Sequence, residues 1–254
     1  MNIEKPITLL VNDSYFAYCS AKSIIKENAN NISLIIFSNS KSNKNQVFKI
    51  FKKVSNKYFI YRSFIHLLSK IFLKKKSVAY LAKKYSIHTT SVASSAELKG
   101  KLKTSTLGFA FNFDLILKKR ILKMFSKGVY NIHASKLPKD RGISPVLWAF
   151  ARGDKTIWST IYKIDEGIDT GKICKQFSLS VKKNDTSFSI YKRVSEKSGE
   201  ILNSLVSDIL EDKVVLRNQD EKIVSNYCSW PDKEFDEMMK KSKLKLIKWG
   251  DLFK

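Results

Sequence analysis

Two apolar runs rich in β-branched residues, ITLLV at 7–11 and ISLIIFS at 32–38, bracket a helix-like segment at 15–29. Strand, helix and strand in that order is the signature of a βαβ unit. The alternation continues. VAYLAKKYSI (78–87) reads as a helix, STLGFAF (105–111) as a buried strand, LILKKRILKMF (115–125) as a helix and GVYNIHAS (128–135) as the next strand. Such a chain is predicted to fold as α/β, a doubly wound, mostly parallel sheet covered by helices.

Beyond it, SPVLWAFARGD (144–154) reads as a helix with Ser144 at its N-cap and Pro145 at its first position, stopped near Gly153. TIWSTIYKI and GKICKQFSLSV read as strands joined by DEGIDT, and a long helix is expected from about Thr186 to Leu210 with Asp185 as its cap. The composition shifts after that helix. Residues 1–212 are therefore taken as one domain and 213–254 as a short C-terminal extension with a terminal helix, packing on it. The stretch 58–76 is amphipathic, with apolar residues at 60, 64, 67, 68, 71 and 72 and Arg62, His66, Ser69 and Lys70 opposite. It is expected to lie on the sheet, the alternative being an interfacial membrane helix.

Charge bears on the choice of partner. The 254 residues carry a formal net charge of +24, which invites a nucleic-acid reading. Only six of the basic residues are Arg, however, and the lysines are spread along the whole chain. Arg is the side chain suited to bidentate phosphate contacts, so a compositional bias toward Lys is the expectation and nucleic acid is not. The three cysteines, Cys19, Cys174 and Cys228, form no CxxC pair, which suits a reducing, cytoplasmic compartment. The N-terminal apolar run is too short for a signal peptide, and no stretch reaches the roughly 18 apolar residues of a membrane span.

Candidate chemistry concentrates at NIHAS. Side chains at i and i+2 of a strand share a face, so Asn131, His133 and Ser135 are expected to project together where the strand ends. Open α/β sheets bind ligands at that end. An amide that can hold an oxyanion beside an imidazole that can move a proton suits acyl transfer. A carboxylate to orient the ring is available in IDEGIDTG, at Asp165 or Asp169. That loop is not a calcium site: Thr170 and Gln176 stand where Gly and Glu are required. His66 and His88 are read as structural, and GxGxxG, P-loop, GxSxG and HExxH motifs are absent.

The segment NIHASKLPKDRGISPVLWAFARGDKTIWSTIYKIDEGIDTGKI resembles the core of the formyltransferases that use 10-formyltetrahydrofolate, which act on methionyl-tRNA, glycinamide ribonucleotide or nucleotide-linked sugars. The resemblance spans roughly 78–205 and is specific over 113–171. It implies a Rossmann-like formyltransferase fold, with Asn131, His133 and Asp169 as the catalytic set. It further implies that Asp114, Leu115, Ile116 and Leu117 hold the folate, with the 165–169 loop, including Asp165 and Gly167, as the other wall, and that no metal is needed. Three departures stand out: Lys136 for Leu, Lys118 or Lys119 for Pro, and Tyr162 for His. The implied reaction moves a formyl group from 10-formyltetrahydrofolate to a primary amine of a small molecule. A nucleotide-linked amino sugar is the expected acceptor, because only about 40 residues follow the long helix and leave no room for a tRNA-binding barrel. Tyr227 and Trp230 are candidates to stack its base. Transfer to methionyl-tRNA or glycinamide ribonucleotide, and hydrolysis of the same donor, are the alternatives, with a basic membrane- or nucleic-acid-binding module as the non-enzyme reading. A homodimer is compatible with the sequence.

Overall fold

The computed structural model describes residues 5–39, 54–71, 73–102 and 104–252. Position 72 of the amphipathic stretch lies outside them. A seven-stranded sheet runs in the order β3-β2-β1-β4-β5-β7-β8. The strands are β1 (Ile7–Val11), β2 (Ile32–Ser38), β3 (Thr89–Val92), β4 (Ser105–Phe111), β5 (Phe125–His133), β7 (Thr156–Lys163) and β8 (Ile173–Ser180). The first five pair in parallel, whereas β7 pairs antiparallel with both β5 and β8. The order reverses beside β1, which is where an open sheet leaves a crevice at its carboxyl edge.

The central strands are apolar because both their faces are covered. Every residue of β1 is buried, and Ile7, Leu9 and Val11 pack with α1 (Tyr15–Asn28) in one core layer while Leu10 belongs to the other side of the sheet. Ser14 caps α1, its Oγ accepting from the Ala17 N–H at 3.2 Å. A second apolar cluster joins α1 to α2 (Asn56–Ile71), α6 (Pro145–Ala151) and α9 (Lys233–Lys241), with Phe235 fully buried in it. The remaining helices are α3 (Val78–Lys84), α4 (Ser95–Lys101), α5 (Lys119–Leu122), α7 (Ser187–Ser204) and α8 (Val206–Leu210).

Several local expectations are corrected. The stretch 115–125 is helical only in α5. Leu115, Ile116 and Leu117 are consecutive apolar residues that no single helix face accommodates, and they diverge: Leu117 enters the core with Ile121 and Val129 while Ile116 is exposed. The long helix breaks at Leu205 into α7 and α8, and its cap is Thr186. Thr186 and Ser189 form a reciprocal capping box, and Asp185 instead accepts from the Lys182 N–H, Ser189 and Arg193. Ser144 occupies the N-cap of α6 in a left-handed conformation without a side-chain cap bond. The fifth strand ends at His133, which leaves Ser135 in the following loop.

A short parallel pair was not foreseen. β6 (Asp140–Gly142) pairs with β9 (Asn226–Cys228), stitching the C-terminal segment to the loop after β5. Arg217 adds an antiparallel bridge to Ile173 at the start of β8. Among the described residues, no helix is long and apolar enough to cross a membrane.

Candidate active site

Asn131 and His133 stand two apart at the carboxyl end of β5 and both line a cleft of about 290 Å³. Asn131 lies directly opposite Tyr162 of β7 in the antiparallel register. The Asn131 Nδ2 donates to the Tyr162 hydroxyl at 3.1 Å, and that hydroxyl donates to Oδ1 of Asp169 at 2.8 Å. The other carboxylate oxygen of Asp169 accepts from the Gly142 N–H at 2.8 Å and lies 3.5 Å from Nδ1 of His133. The expected trio is thereby gathered in one place, and Tyr162 bridges two of its members.

Each group is held in place from behind. His133 is buried, and its Nε2 is 2.7 Å from the Asp140 carbonyl oxygen. A carbonyl only accepts, so Nε2 carries a proton and Nδ1 is the nitrogen turned to Asp169. The same carbonyl accepts from Ser135 Oγ at 2.6 Å. Asp140 itself is fixed by the Arg152 guanidinium, 3.0 Å from its carboxylate. Burial pushes the Tyr162 phenol well above its ordinary pKa, and the neighbouring Asp169 charge adds to the shift. Tyr162 is thus a neutral hydroxyl, able to donate and accept at once.

Asp169 adopts a left-handed backbone, φ 54°, at the tip of the loop between β7 and β8. The loop is turned by Asp165, whose Oδ1 accepts from the Gly167 N–H at 3.1 Å and from Thr170 Oγ1 at 2.6 Å. A Cβ at Gly167 would sit 2.1 Å from Thr170 Oγ1, so a larger residue there would displace the hydroxyl that Asp165 holds. Gly142 carries φ +90° and a Cβ there would lie 2.5 Å from the Cys228 carbonyl oxygen. Its N–H, which holds Asp169, depends on that close β6–β9 approach. Gln219 of the C-terminal segment clamps the loop, its Nε2 donating to the carbonyls of Asp169 and Gly171 at 2.8 and 2.9 Å. Arg141 holds the Gln219 Oε1 at 2.7 Å.

The opposite wall is apolar. Leu115, Ile116 and Leu117 line it, with Ile116 67% exposed, and Asp165 and Gly167 line the loop side. Asp114 does not line the cleft. Its carboxylate accepts from Ser38 Oγ at 2.8 Å and Asn12 Nδ2 at 3.3 Å, tying the ends of β1, β2 and β4 together. Burial raises the thiols of Cys19, Cys174 and Cys228 to about 12, 11 and 11, which keeps them protonated and unreactive at neutral pH. Among the described residues, no three His, Cys, Asp or Glu side chains gather as metal ligands.

Sequence reasoning flagged Tyr162 only as a departure and did not single out Gly142 N–H, the Asp140 carbonyl, Arg152 or Gln219. Tyr162 could have been found from the pairing of β5 with β7. The backbone groups carry no sequence signal.

The family described as formyl transferase matches residues 12–206. A bifunctional polymyxin resistance protein ArnA of Wigglesworthia glossinidia brevipalpis is 35% identical over 152 residues, 59% of this chain and 23% of that protein. A methionyl-tRNA formyltransferase of Clostridium tetani is 34% identical over 119 residues, 47% of this chain and 38% of that protein. The chain thus spans well under half the length of these curated relatives. Among solved structures, an N-formyltransferase from Helicobacter canadensis in complex with folinic acid and dTDP-3-aminofucose shares the fold, with a TM-score of 0.60, 19% identity, and coverage of 87% of this chain and 70% of that one. With the match running across most of its length, the chain belongs to the formyl transferase family.

Proposed function

We propose that this protein transfers a formyl group from 10-formyltetrahydrofolate to a primary amine, with Asn131, His133 and Asp169 as the catalytic residues. The observation that carries the reading is the joining of Asn131 to Asp169 through the Tyr162 hydroxyl, with Nδ1 of His133 3.5 Å from the same carboxylate, at one end of a cleft that Leu115, Ile116 and Leu117 wall on the other side. The folate supplies a formyl group on nitrogen. The cleft fits such a ligand in kind: Leu115, Ile116 and Leu117 offer a flat ring an apolar wall, and the loop at 165–169 offers the opposing one.

The residues divide the work. An amide nitrogen carries two hydrogens, and Tyr162 takes one from Asn131, so the second is free to hold the oxygen of the formyl group as it gains charge. Nδ1 of His133 accepts the proton that the attacking amine must lose and delivers it to the departing folate nitrogen. Asp169, 3.5 Å away, faces the ring as an opposite charge during the interval when it is protonated. The new carbon–nitrogen bond forms on the amine as the bond to the folate nitrogen breaks, and the protons balance.

For the acceptor we favour a nucleotide-linked amino sugar. Solved neighbours sharing the fold include sugar N-formyltransferases, one of them crystallised with dTDP-3-aminofucose. Tyr227 is exposed next to Arg141, whose guanidinium donates to its hydroxyl at 3.4 Å one residue before the cleft-lining Gly142, an arrangement suited to a base and a phosphate. Trp230 is spent on packing instead: half-buried, it lies against Tyr58 and under Arg62. The deciding experiment mixes the protein with 10-formyltetrahydrofolate and a panel of dTDP-, UDP- and GDP-linked amino sugars, glycinamide ribonucleotide and charged initiator tRNA, following tetrahydrofolate release. Fast release with one sugar nucleotide supports the reading. Release without any amine means hydrolysis, rapid formylation of tRNA overturns the sugar assignment, and failure of the folded protein to bind folate overturns the whole.

A further inference from the structure

We propose that the outer face of α2 docks on an anionic lipid bilayer. Helix α2 has two apolar faces. Tyr58, Tyr61, Ile65 and Leu68 are buried against α1, α6 and α9. Ile60, Phe64, Leu67 and Ile71 are exposed, at 66, 36, 55 and 53%. At about 100° per residue, these four fall within an arc of about 60°, one unbroken stripe along three turns. Scattered exposed apolar residues are ordinary, but a stripe of four on one helix marks a contact surface.

The charge around the stripe identifies what it contacts. From Asn28 to Ala96 the chain holds twelve Lys and one Arg and not a single Asp or Glu. Lys57 is exposed on α2, Lys74 and Lys75 just after it, and Lys83 and Lys84 at the end of α3. A basic segment without acidic residues of its own that carries a Phe, Leu and Ile stripe has the two features of an interfacial helix: apolar side chains to bury at the acyl boundary and cations to meet headgroups. A second copy of this chain, at net charge +24, would bring two such basic segments together. Nucleic acid would leave the stripe in water. The side of α2 turned away from the stripe walls a cavity of about 270 Å³ with Tyr61 and Arg62, and that cavity shares Asn112 with the active cleft.

The test is co-sedimentation of the full chain with vesicles of phosphatidylcholine alone and of phosphatidylcholine mixed with phosphatidylglycerol. Binding is expected on the anionic vesicles only. The double variant Ile60→Asn/Leu67→Asn, which changes exposed side chains and should keep its melting temperature, is expected to weaken it by about tenfold or more. Lys74→Gln/Lys75→Gln should weaken it less, and more so at low salt. Absence of binding to anionic vesicles, or equal binding to both, overturns the proposal. So does binding that the asparagine pair leaves unchanged, which would reduce it to charge adhesion. A dimer in solution that Ile60→Asn dissociates, with no vesicle binding, would assign the stripe to a second copy and overturn it equally.

Discussion

The two walls of the cleft are built on opposite principles. On the polar wall, Asp169 alone accepts from the Gly142 N–H and the Tyr162 hydroxyl, and its carbonyl accepts from Gln219. Moving any one group breaks bonds to several others. The apolar wall is a short irregular run, 113–118, between β4 and α5, anchored by the burial of Leu117 and leaving Ile116 largely in water. The first wall is preorganised in the way that electrostatic stabilisation of a developing charge requires, at no reorganisation cost when the reaction occurs. The second gives area without direction, which is enough to hold an apolar ring. The contrast implies that damage to the polar wall falls on turnover and damage to the apolar wall on donor affinity.

The largest effect should come from Asn131→Ala. Its side chain is half-buried and its loss leaves the strand hydrogen bonds of β5 intact, so the fold should survive with a melting temperature close to the parent's. Removing one oxyanion donor typically costs about 10² to 10³ in kcat. Near-normal turnover in steady-state assays would remove Asn131 from the role given to it and dissolve the contrast between the walls.

The intermediate effect belongs to Tyr162→Phe. It deletes one hydroxyl that joins Asn131 to Asp169 while keeping the buried ring. Hydrogen bonds to charged groups contribute about 1.5–3 kcal/mol, so kcat should fall by about ten- to a hundredfold with donor KM little changed. A change confined to KM would show that the bridge serves binding rather than orientation. The pH behaviour gives a second readout. The folded-state pKa of Tyr162 is raised, so its contribution to stability is complete below about pH 10 and is lost as pH rises through the folded value. The phenylalanine variant should therefore lose less stability than the parent between neutral pH and strongly alkaline pH, as seen by denaturant titration.

How much of this was legible in the sequence depends on whether the information is local. β1, β2 and β4 fall where their apolar runs do, because a strand buried on both faces is a continuous apolar run ended by polar turn residues. The gathering of Asn131 with His133 follows from a period of two. The wall at 115–117 was misread as helix because LILKKRIL fits a helical period once the first three residues are allowed to straddle it, and only their separate destinations in the fold show otherwise. β6 and β9 were missed because three-residue strands 86 positions apart carry no pattern of their own. The same distance hid the support of the Asp169 loop by Gln219, 50 residues further along. Long-range pairing, not propensity, places these groups.

The smallest effect tests the apolar wall. Ile116 is 67% exposed in the free protein, so its truncation to Ala removes little that holds the fold, and stability should be unchanged within a fraction of a kcal/mol. A folate ring laid against it would bury most of that side chain. Three fewer carbon atoms at about 0.8 kcal/mol per methylene-sized group set an upper bound of about 2 kcal/mol on the lost affinity, and partial burial brings the expected rise in donor KM to about three- to tenfold. The value of kcat should stay within about twofold, since nothing on this side touches the charge that develops during transfer. Calorimetry with an unreactive folate analogue separates the outcomes: a weaker dissociation constant with unchanged turnover confirms a wall that binds without directing. A fall in kcat at saturating donor would mean that Ile116 orients the formyl group, and the division of labour between the two walls would not hold.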